Sequence, residues 1–348
     1  MQPLRVWLVG HGTVGRWLVD ALDAHAGRLH RRYGVEVSVV GIANARDGFV
    51  YDQNGIDLPA VRALASAGGS LTELSRVQHW PVALDGLRAT EADVLVEVSQ
   101  SPAADGEPGL GHLREALGRR IPAVTSNKWP VALHGVELAE LARRHAVPFR
   151  AESTVMSGTP VLSTLTAGLA GAVPIGVRGL LNATANAILT RMSEGASYPD
   201  ALAEAQAAGL AERDPAADVD GADTVAKLMV LSALVFGRQL RADQVECHGI
   251  SGVTRADIER ATAAGARIKH VAALEFAEPD GGGEVTARVR PELVELDDPL
   301  ATAEGTTNAI RVRADPVGYV TITGPGAGPQ LAGQGVLSDL LAVARAVR

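Results

Sequence analysis

Residues 4–17, LRVWLVGHGTVGRW, decide how the rest of the chain is read. The run 4–9, LRVWLV, is mostly apolar and short, which predicts a buried strand, and a helical pattern from Arg16 to about Arg28 follows the intervening glycines. Strand, glycine turn and helix come in that order. Gly10, Gly12 and Gly15 fit G-x-G-x-x-G, in which the glycines permit a tight turn and let backbone N–H groups approach a pyrophosphate at the helix N-terminus. The motif alone is weak; its place after a strand and before a helix makes Gly10, Gly12, Thr13, Val14 and Gly15 candidate cofactor-binding residues.

Working outward, a second strand over Glu36–Ala43 ends in Asn44-Ala45-Arg46-Asp47. An NAD-preferring site carries Asp or Glu at this strand end for the ribose 2′-hydroxyl, whereas an arginine there takes a 2′-phosphate. With Asn44 at the tip and Arg46 the nearest cation, the expectation leans to NADP over NAD, and Asp47 is the counter-argument. Asp93–Val98 (DVLVEV) is a further buried strand with candidate cofactor residue Ser99 directly after it, and Ala123–Thr125 is another, running into TSNK. Helical patterns lie around Leu110–Leu117 and Val136–Arg144. Such alternation predicts α/β architecture with a Rossmann-type, doubly wound parallel sheet. GEPGLG at 106–111 and PDGGGE at 279–284 are loop signals, and DQNGID at 52–57 lacks the ligand set of a calcium loop.

At 348 residues the chain exceeds the roughly 250–300 at which a single core stops growing, so two domains are expected. A formal charge of −8 without any long Lys/Arg cluster argues against nucleic acid as a partner. A lone cysteine, Cys247, makes no internal disulfide, and no Cys/His spacing of zinc type accompanies it. The first residues run straight into a strand, and no apolar stretch reaches about 18 residues. The reading is a soluble, cytoplasmic protein without a membrane partner.

Of 32 basic residues only Lys128, Lys227 and Lys269 are lysines. Where arginine serves wherever a positive charge is enough, a surviving lysine is a candidate for work that needs a compact amine able to change protonation. Lys227 closes DPAADVDGADTVAK (214–227) and is followed by an almost wholly apolar run. On a helix Asp223 and Lys227 share a face, continued by Asp220 and Thr224. An exposed ion pair is the plain alternative, but a lysine at the mouth of a buried helix must be partnered or sit in a cleft. Lys128 ends AVTSNK at the carboxyl edge of the proposed sheet, where open α/β sheets bind ligands. Lys269, in ARIKH, has no such context and is expected on the surface. These residues imply a nicotinamide-type cofactor and a small polar substrate.

Taken together the motifs resemble homoserine dehydrogenase over nearly the whole chain. Residues 205–227, AQAAGLAERDPAADVDGADTVAK, are similar to the family signature A-x3-G…D-P-x2-D-V-x-G-x-D-x3-K at every defined position. TSNK with PVALHG, AESTVMSGTP, LNATANAIL, GTTNAIRV and TGPGAGPQLAGQGVLSDL resemble the segments around it. The resemblance implies reversible hydride transfer between NAD(P)H and L-aspartate 4-semialdehyde, giving L-homoserine. It implies Lys227, Lys128 and Asp223 as catalytic residues, with either lysine able to give the proton. Glu212 and Asp223 match residues that bind the substrate's amino end, with Asp218, Thr184 and Asn182 as further substrate candidates. Gly209 and Gly326 match positions near the cofactor. Glu152, Val155, Ser157 and Thr159 fall where family members hold a monovalent cation, here sodium.

The sequence departs from the pattern at Ala183 and Ala185, which replace Gly and Thr, at Ala187, which replaces an aromatic, and at Trp129, where glycine is common. These changes bear on substrate identity, so a paralogous reductase of a related amino-acid semialdehyde, or a non-catalytic NADPH-binding sensor, stand as alternatives. The resemblance further implies a homodimer. The expected division is a dinucleotide-binding domain over 1–150, completed by 305–348, and an α+β substrate-binding, catalytic and dimerisation domain over 151–304, with no room for a C-terminal regulatory domain.

Overall fold

The computed structural model describes residues 2–278 and 283–347, so most of the loop signal at 279–284 lies outside the described residues. The chain divides into two compact units, Met1–Thr154 with Gly328–Arg348, and Val155–Ala327.

The first unit opens as the glycine motif requires: β1 (Leu4–Val9), then α1 (Thr13–Tyr33), longer than the sequence pattern and closed by Gly34 in the left-handed conformation. There follow β2 (Val37–Asn44), β3 (Gly48–Tyr51), α2 (Leu58–Ala67), β4 (Gln78–Trp80), α3 (Ala83–Ala89), β5 (Val94–Glu97), α4 (Gly109–Gly118), β6 (Ala123–Thr125), α5 (Lys128–His145) and β7 (Phe149–Arg150). The sheet order is β4-β3-β2-β1-β5-β6-β7. From β2 to β7 the strands run parallel, but β3 and β4 pair antiparallel, so the sheet is mixed at one edge rather than wholly parallel. The reason is local: the turn at Asp47 and Gly48 folds the chain straight back on β2, with no room for the crossover a parallel neighbour needs.

Alternate residues of β1 point to opposite faces. Leu4, Val6 and Leu8 join a core with Leu18 and Leu22 of α1, whereas Trp7 and Val9 join one with Leu113 and Leu117 of α4. Two buried faces need helices on both sides, which is the doubly wound arrangement.

A single turn, α6 (Ser153–Met156), contains the point in the chain at which the second unit begins. Its elements are β8 (Val173–Leu180), α7 (Ala183–Ser193), α8 (Tyr198–Ala207), α9 (Ala216–Val219), α10 (Ala222–Val235), β9 (Glu246–Cys247), α11 (Arg255–Ala263), β10 (Ala266–Phe276), β11 (Val285–Glu295), β12 (Thr307–Asp315) and β13 (Gly318–Pro325). The sheet, ordered β13-β12-β8-β10-β11-β9, is antiparallel apart from the short β11–β9 pair. The last helix, α12 (Pro329–Ala346), belongs to the first unit and buries Leu337, Leu340 and Val343 beside α1.

The expected return at 305 is therefore too early. Residues 307–325 form β12 and β13, whose ladders tie them to β8, and only the chain from Gly328 rejoins the first sheet. Among the described residues no helix is long and apolar enough to cross a membrane.

Candidate active site

In the first unit a cavity of about 1200 Å³ opens over the carboxyl ends of β1, β2 and β5. Its wall includes Gly10, Gly12, Thr13, Val14, Asn44 and Arg46, with Ser99 among its further lining residues. Gly10 has φ +108°, and a Cβ there would meet the Ser99 nitrogen at 2.4 Å. A Cβ on Gly15 would stand 1.9 Å from the Gly10 carbonyl oxygen, so these two glycines are demanded by the turn itself. Gly12 is different: nothing lies within 4 Å of the position its Cβ would take. That open space beside the start of α1 is where an anion can reach the helix N-terminus. His11 is buried in the same loop, and burial, with Arg16 adding to it, pushes its imidazole below the usual range.

At the end of β2 Asp47 is among the residues lining the cavity, but its carboxylate is engaged by its own turn. Asp47 is buried and turned inward, where it accepts from Asn44 Nδ2 (2.8 Å), Arg46 Nε (2.9 Å), Ser70 Oγ (2.8 Å) and the Leu71 backbone (3.0 Å). Burial acts to raise its pKa, but these donors together hold the carboxyl well below the usual carboxylate range. Its oxygens are occupied by the turn. Arg46 stays exposed on the cavity wall while also donating to the carbonyls of Gly68 and Gly69.

Lys128 is the first residue of α5, directly after Asn127, and neither it nor Gly15 is part of the cavity wall. Asn127 is buried and joins Glu97, a residue the sequence reading passed over. A carboxylate closing an otherwise apolar strand, DVLVEV, was the available signal.

In the second unit the lysine of the family signature has a carbonyl and a carboxylate as partners. Lys227 Nζ donates to the Leu181 carbonyl at 2.6 Å and pairs with Asp223 Oδ2 at 2.8 Å, both side chains mostly buried. Asn182 caps α7 through its Oδ1, which accepts from Ala185 N at 2.8 Å, and its Nδ2 reaches Asp218 at 2.7 Å and Asp223 at 3.0 Å. Thr184 Oγ1 donates to the Leu210 carbonyl at 2.9 Å. Lys227, Asp223, Asn182 and Asp218 thus form one hydrogen-bonded cluster drawn from the cap of α7, from α9 and from the first two turns of α10. The run after Lys227 is buried as expected, from Leu228 to Ala233. Asp220 falls outside: α10 starts at Ala222 from a left-handed Gly221, which turns Asp220 out to solvent. Glu212 is exposed and makes no side-chain hydrogen bond among the described residues, and Gly209 closes α8 with φ +70°.

Gly326 is close-packed, since a Cβ there would come within 2.4 Å of the buried Asn308 amide. Ser157 donates to the Gly326 carbonyl at 3.3 Å, and Thr159 packs against Gly324. Val155 and Glu152 are buried, the Glu152 backbone donating to Asp339 at 2.8 Å.

Lys269 contradicts the expectation of a surface residue. It is only 3% exposed, and its ammonium donates to the Ala303 carbonyl (2.6 Å) and to Asn186 Oδ1 (3.2 Å). Burial pushes its pKa down to about 8, opposed by Glu304. The pattern ARIKHVAALEF hid this because β10 is buried on both faces, so no alternation marked position 269 as inside.

A glycine-looped nucleotide cavity in one unit and a lysine held by an aspartate in the other define an NAD(P)-dependent oxidoreductase. Residues 160–341 match the family model described as homoserine dehydrogenase. The chain is 35% identical to the NAD(+)-dependent homoserine dehydrogenase of Pseudomonas canavaninivorans, over 98% of this chain and 96% of that one. It is 33% identical to the homoserine dehydrogenase of Methanocaldococcus jannaschii, over 96% of each. Among solved structures, a hyperthermophilic archaeal homoserine dehydrogenase in complex with NADPH superposes with a TM-score of 0.83 at 29% identity, covering 99% of this chain and 98% of that one. The homoserine dehydrogenase of Thiobacillus denitrificans gives 0.82 at 32% identity, covering 99% and 74%. The chain belongs to the homoserine dehydrogenase family.

Proposed function

We propose that the chain catalyses the reversible NAD(P)H-dependent reduction of L-aspartate 4-semialdehyde to L-homoserine, with Lys227 as the proton donor. The observation that carries this reading is the bonding of the Lys227 ammonium. Two of its three N–H groups go to the Leu181 carbonyl and Asp223, which leaves the third for a substrate oxygen. The bound dinucleotide supplies the hydride. As it reaches the aldehyde carbon, charge builds on the oxygen, and a fixed ammonium stabilises that charge and then gives up its proton. Asp223 keeps the lysine oriented and is itself held by Asn182. Asp223, Asp218 and Glu212 provide the carboxylates that suit the substrate's α-ammonium, Asn182 and Thr184 are further substrate groups, and Gly209 is kept as a cofactor position. Lys128 takes its role from TSNK.

The first unit is the dinucleotide-binding domain in this reading, and the second handles the semialdehyde. The engagement of the Asp47 carboxylate by its own turn and the exposed Arg46 favour NADP over NAD, since the strand end then presents a cation while the carboxylate already has its donors. Glu152, Val155, Ser157 and Thr159 offer the hard oxygen donors that sodium takes; a thermal shift in sodium chloride that choline chloride does not reproduce tests this. Cytoplasmic location and a homodimer complete the proposal, the latter to be checked by sedimentation.

The deciding experiment follows loss of the reduced cofactor with aspartate 4-semialdehyde, NADPH and NADH side by side. Rapid turnover with faster use of NADPH is expected. NADPH binding without turnover would overturn the reaction, and faster use of NADH would overturn the cofactor preference.

A further inference from the structure

We propose that the buried pair Glu97–His112 is the positioning device of the cofactor half of the site, setting Ser99 and Asn127 and, through Asn127, the first residue of α5, Lys128. The inference rests on the dehydrogenase reading for Lys128, and its test separates the two.

Glu97 is the last residue of β5 and is fully buried. A carboxylate in such a place is costly unless its oxygens are met by donors. Its Oε1 accepts from the Ser99 backbone (2.8 Å), the Ser99 hydroxyl (2.5 Å) and Asn127 Nδ2 (3.4 Å). Its Oε2 meets His112 Nδ1 at 2.7 Å, and Nδ1 is taken as the donor because the carboxyl group's other partners all donate to it. Three separate elements converge on this one side chain: the loop after β5, the turn between β6 and α5, and the first turn of α4.

The arrangement has little slack. Asn127 Nδ2 also donates to Ser101 Oγ at 2.8 Å, and Ser101 Oγ in turn accepts from Gly109 N at 3.2 Å, at the start of α4. A Cβ on Gly109 would come within 2.5 Å of Asn127 Nδ2. Thr125 adds a second tie, donating to the Glu97 carbonyl and accepting from Asn127 N. His112, Ser99 and Ser126 all line the dinucleotide cavity, so the network forms part of its floor. Removing the imidazole leaves Glu97 Oε2 buried without a donor. The carboxylate must then turn or draw in water, and either movement carries Ser99 and Asn127 with it. Small displacements of groups that orient a hydride donor cost roughly 10- to 100-fold in rate.

The test compares wild type, His112→Ala and His112→Asn, because the asparagine Nδ2 lies near the place of the histidine Nδ1 and restores the donor without the ring. NADPH affinity is read by fluorescence titration, kcat and KM by turnover of aspartate 4-semialdehyde, and folding by thermal melting. The expected result for His112→Ala is NADPH binding weakened about tenfold or more and kcat lowered by a similar factor, with His112→Asn recovering most of both. The proposal is overturned by an alanine variant that melts earlier but binds and turns over like wild type per folded molecule, or by an asparagine variant as impaired as alanine. Should His112→Ala not fold, His112→Leu fills the volume without a donor and is judged by the same criteria. Wild type that binds NADPH without turning over the semialdehyde would sink the reaction assignment, while the affinity comparison still judges the pair.

Discussion

At position 227 a lysine suits the proposed proton transfer better than an arginine: its compact ammonium meets a carbonyl and a carboxylate, and an amine changes protonation where a guanidinium does not. Lys227→Ala is expected to lower kcat by about 10²–10⁴-fold while NADPH titrates almost as in wild type. Comparable turnover in the variant removes Lys227 from the chemistry. Gly12 offers a second residue-scale test, because its Cβ position is empty and its φ of −89° suits any residue. Gly12→Ala should keep the melting temperature of wild type yet bind NADPH poorly. A large stability loss would mean the loop, not a ligand, requires the glycine. Lys269 carries a pH signature. Its folded pKa of about 8 lies below the usual value of 10.5, so the fold bears a cost while the amine is charged below pH 8, and that cost is relieved as pH rises from 8 toward 10.5. The stability of wild type relative to Lys269→Met should therefore climb by about 1–3 kcal/mol over this window. Denaturant unfolding of both proteins at pH 7.5 and 9.5 checks the sign, and a flat difference would show that the buried amine is compensated otherwise.

At the scale of elements, the proposed reactive groups are brought together by the N-terminus of α7, by α9 and by the first two turns of α10. Asn182 is both the cap of α7 and the bridge to Asp218 and Asp223. Asn182→Ala should cost about 1 kcal/mol as a lost cap. It should also lower kcat more than a remote destabilisation of the same size would, since Asp223 then loses a donor. Equal kcat in the folded variant would confine Asn182 to capping. Much of this was legible in the chain: the aspartate–lysine spacing put both groups on one helical face, and the apolar run after Lys227 announced a buried helix. Asp220 was misplaced because a left-handed glycine starts the helix later than spacing alone implies. Glu97 was passed over and Lys269 wrongly expected on the surface for a shared reason: each sits in a strand buried on both sides, where period-two patterning disappears.

Across the whole molecule, the cofactor should act as a folding ligand for the first unit. NADPH at a hundred times its dissociation constant should add about 2.7 kcal/mol to the stability of the species that binds it. A thermal melt without any NADPH-dependent shift would count against the cavity as its site. In the first unit β1, β2, β5 and β6 could be read from the hydrophobic runs and the glycine loop, because strands, turns and helices follow from short-range sterics and burial period, whereas β3, β4, β7 and the strands of the second sheet were not read. The same local grammar singled out Lys227, Asp223 and the glycine loop as candidates. What the tertiary structure decided was pairing and enclosure. Whether residues 305–327 rejoin the first sheet or extend the second depends on ladders with β8, more than a hundred positions away. Whether Asp47 faces a ribose or its own turn depends on Ser70 and Leu71. Whether Lys269 meets water depends on Asn186 and Ala303. Each is a contact between distant positions, whose energy exists only once the chain has closed on itself, and no local pattern carries it.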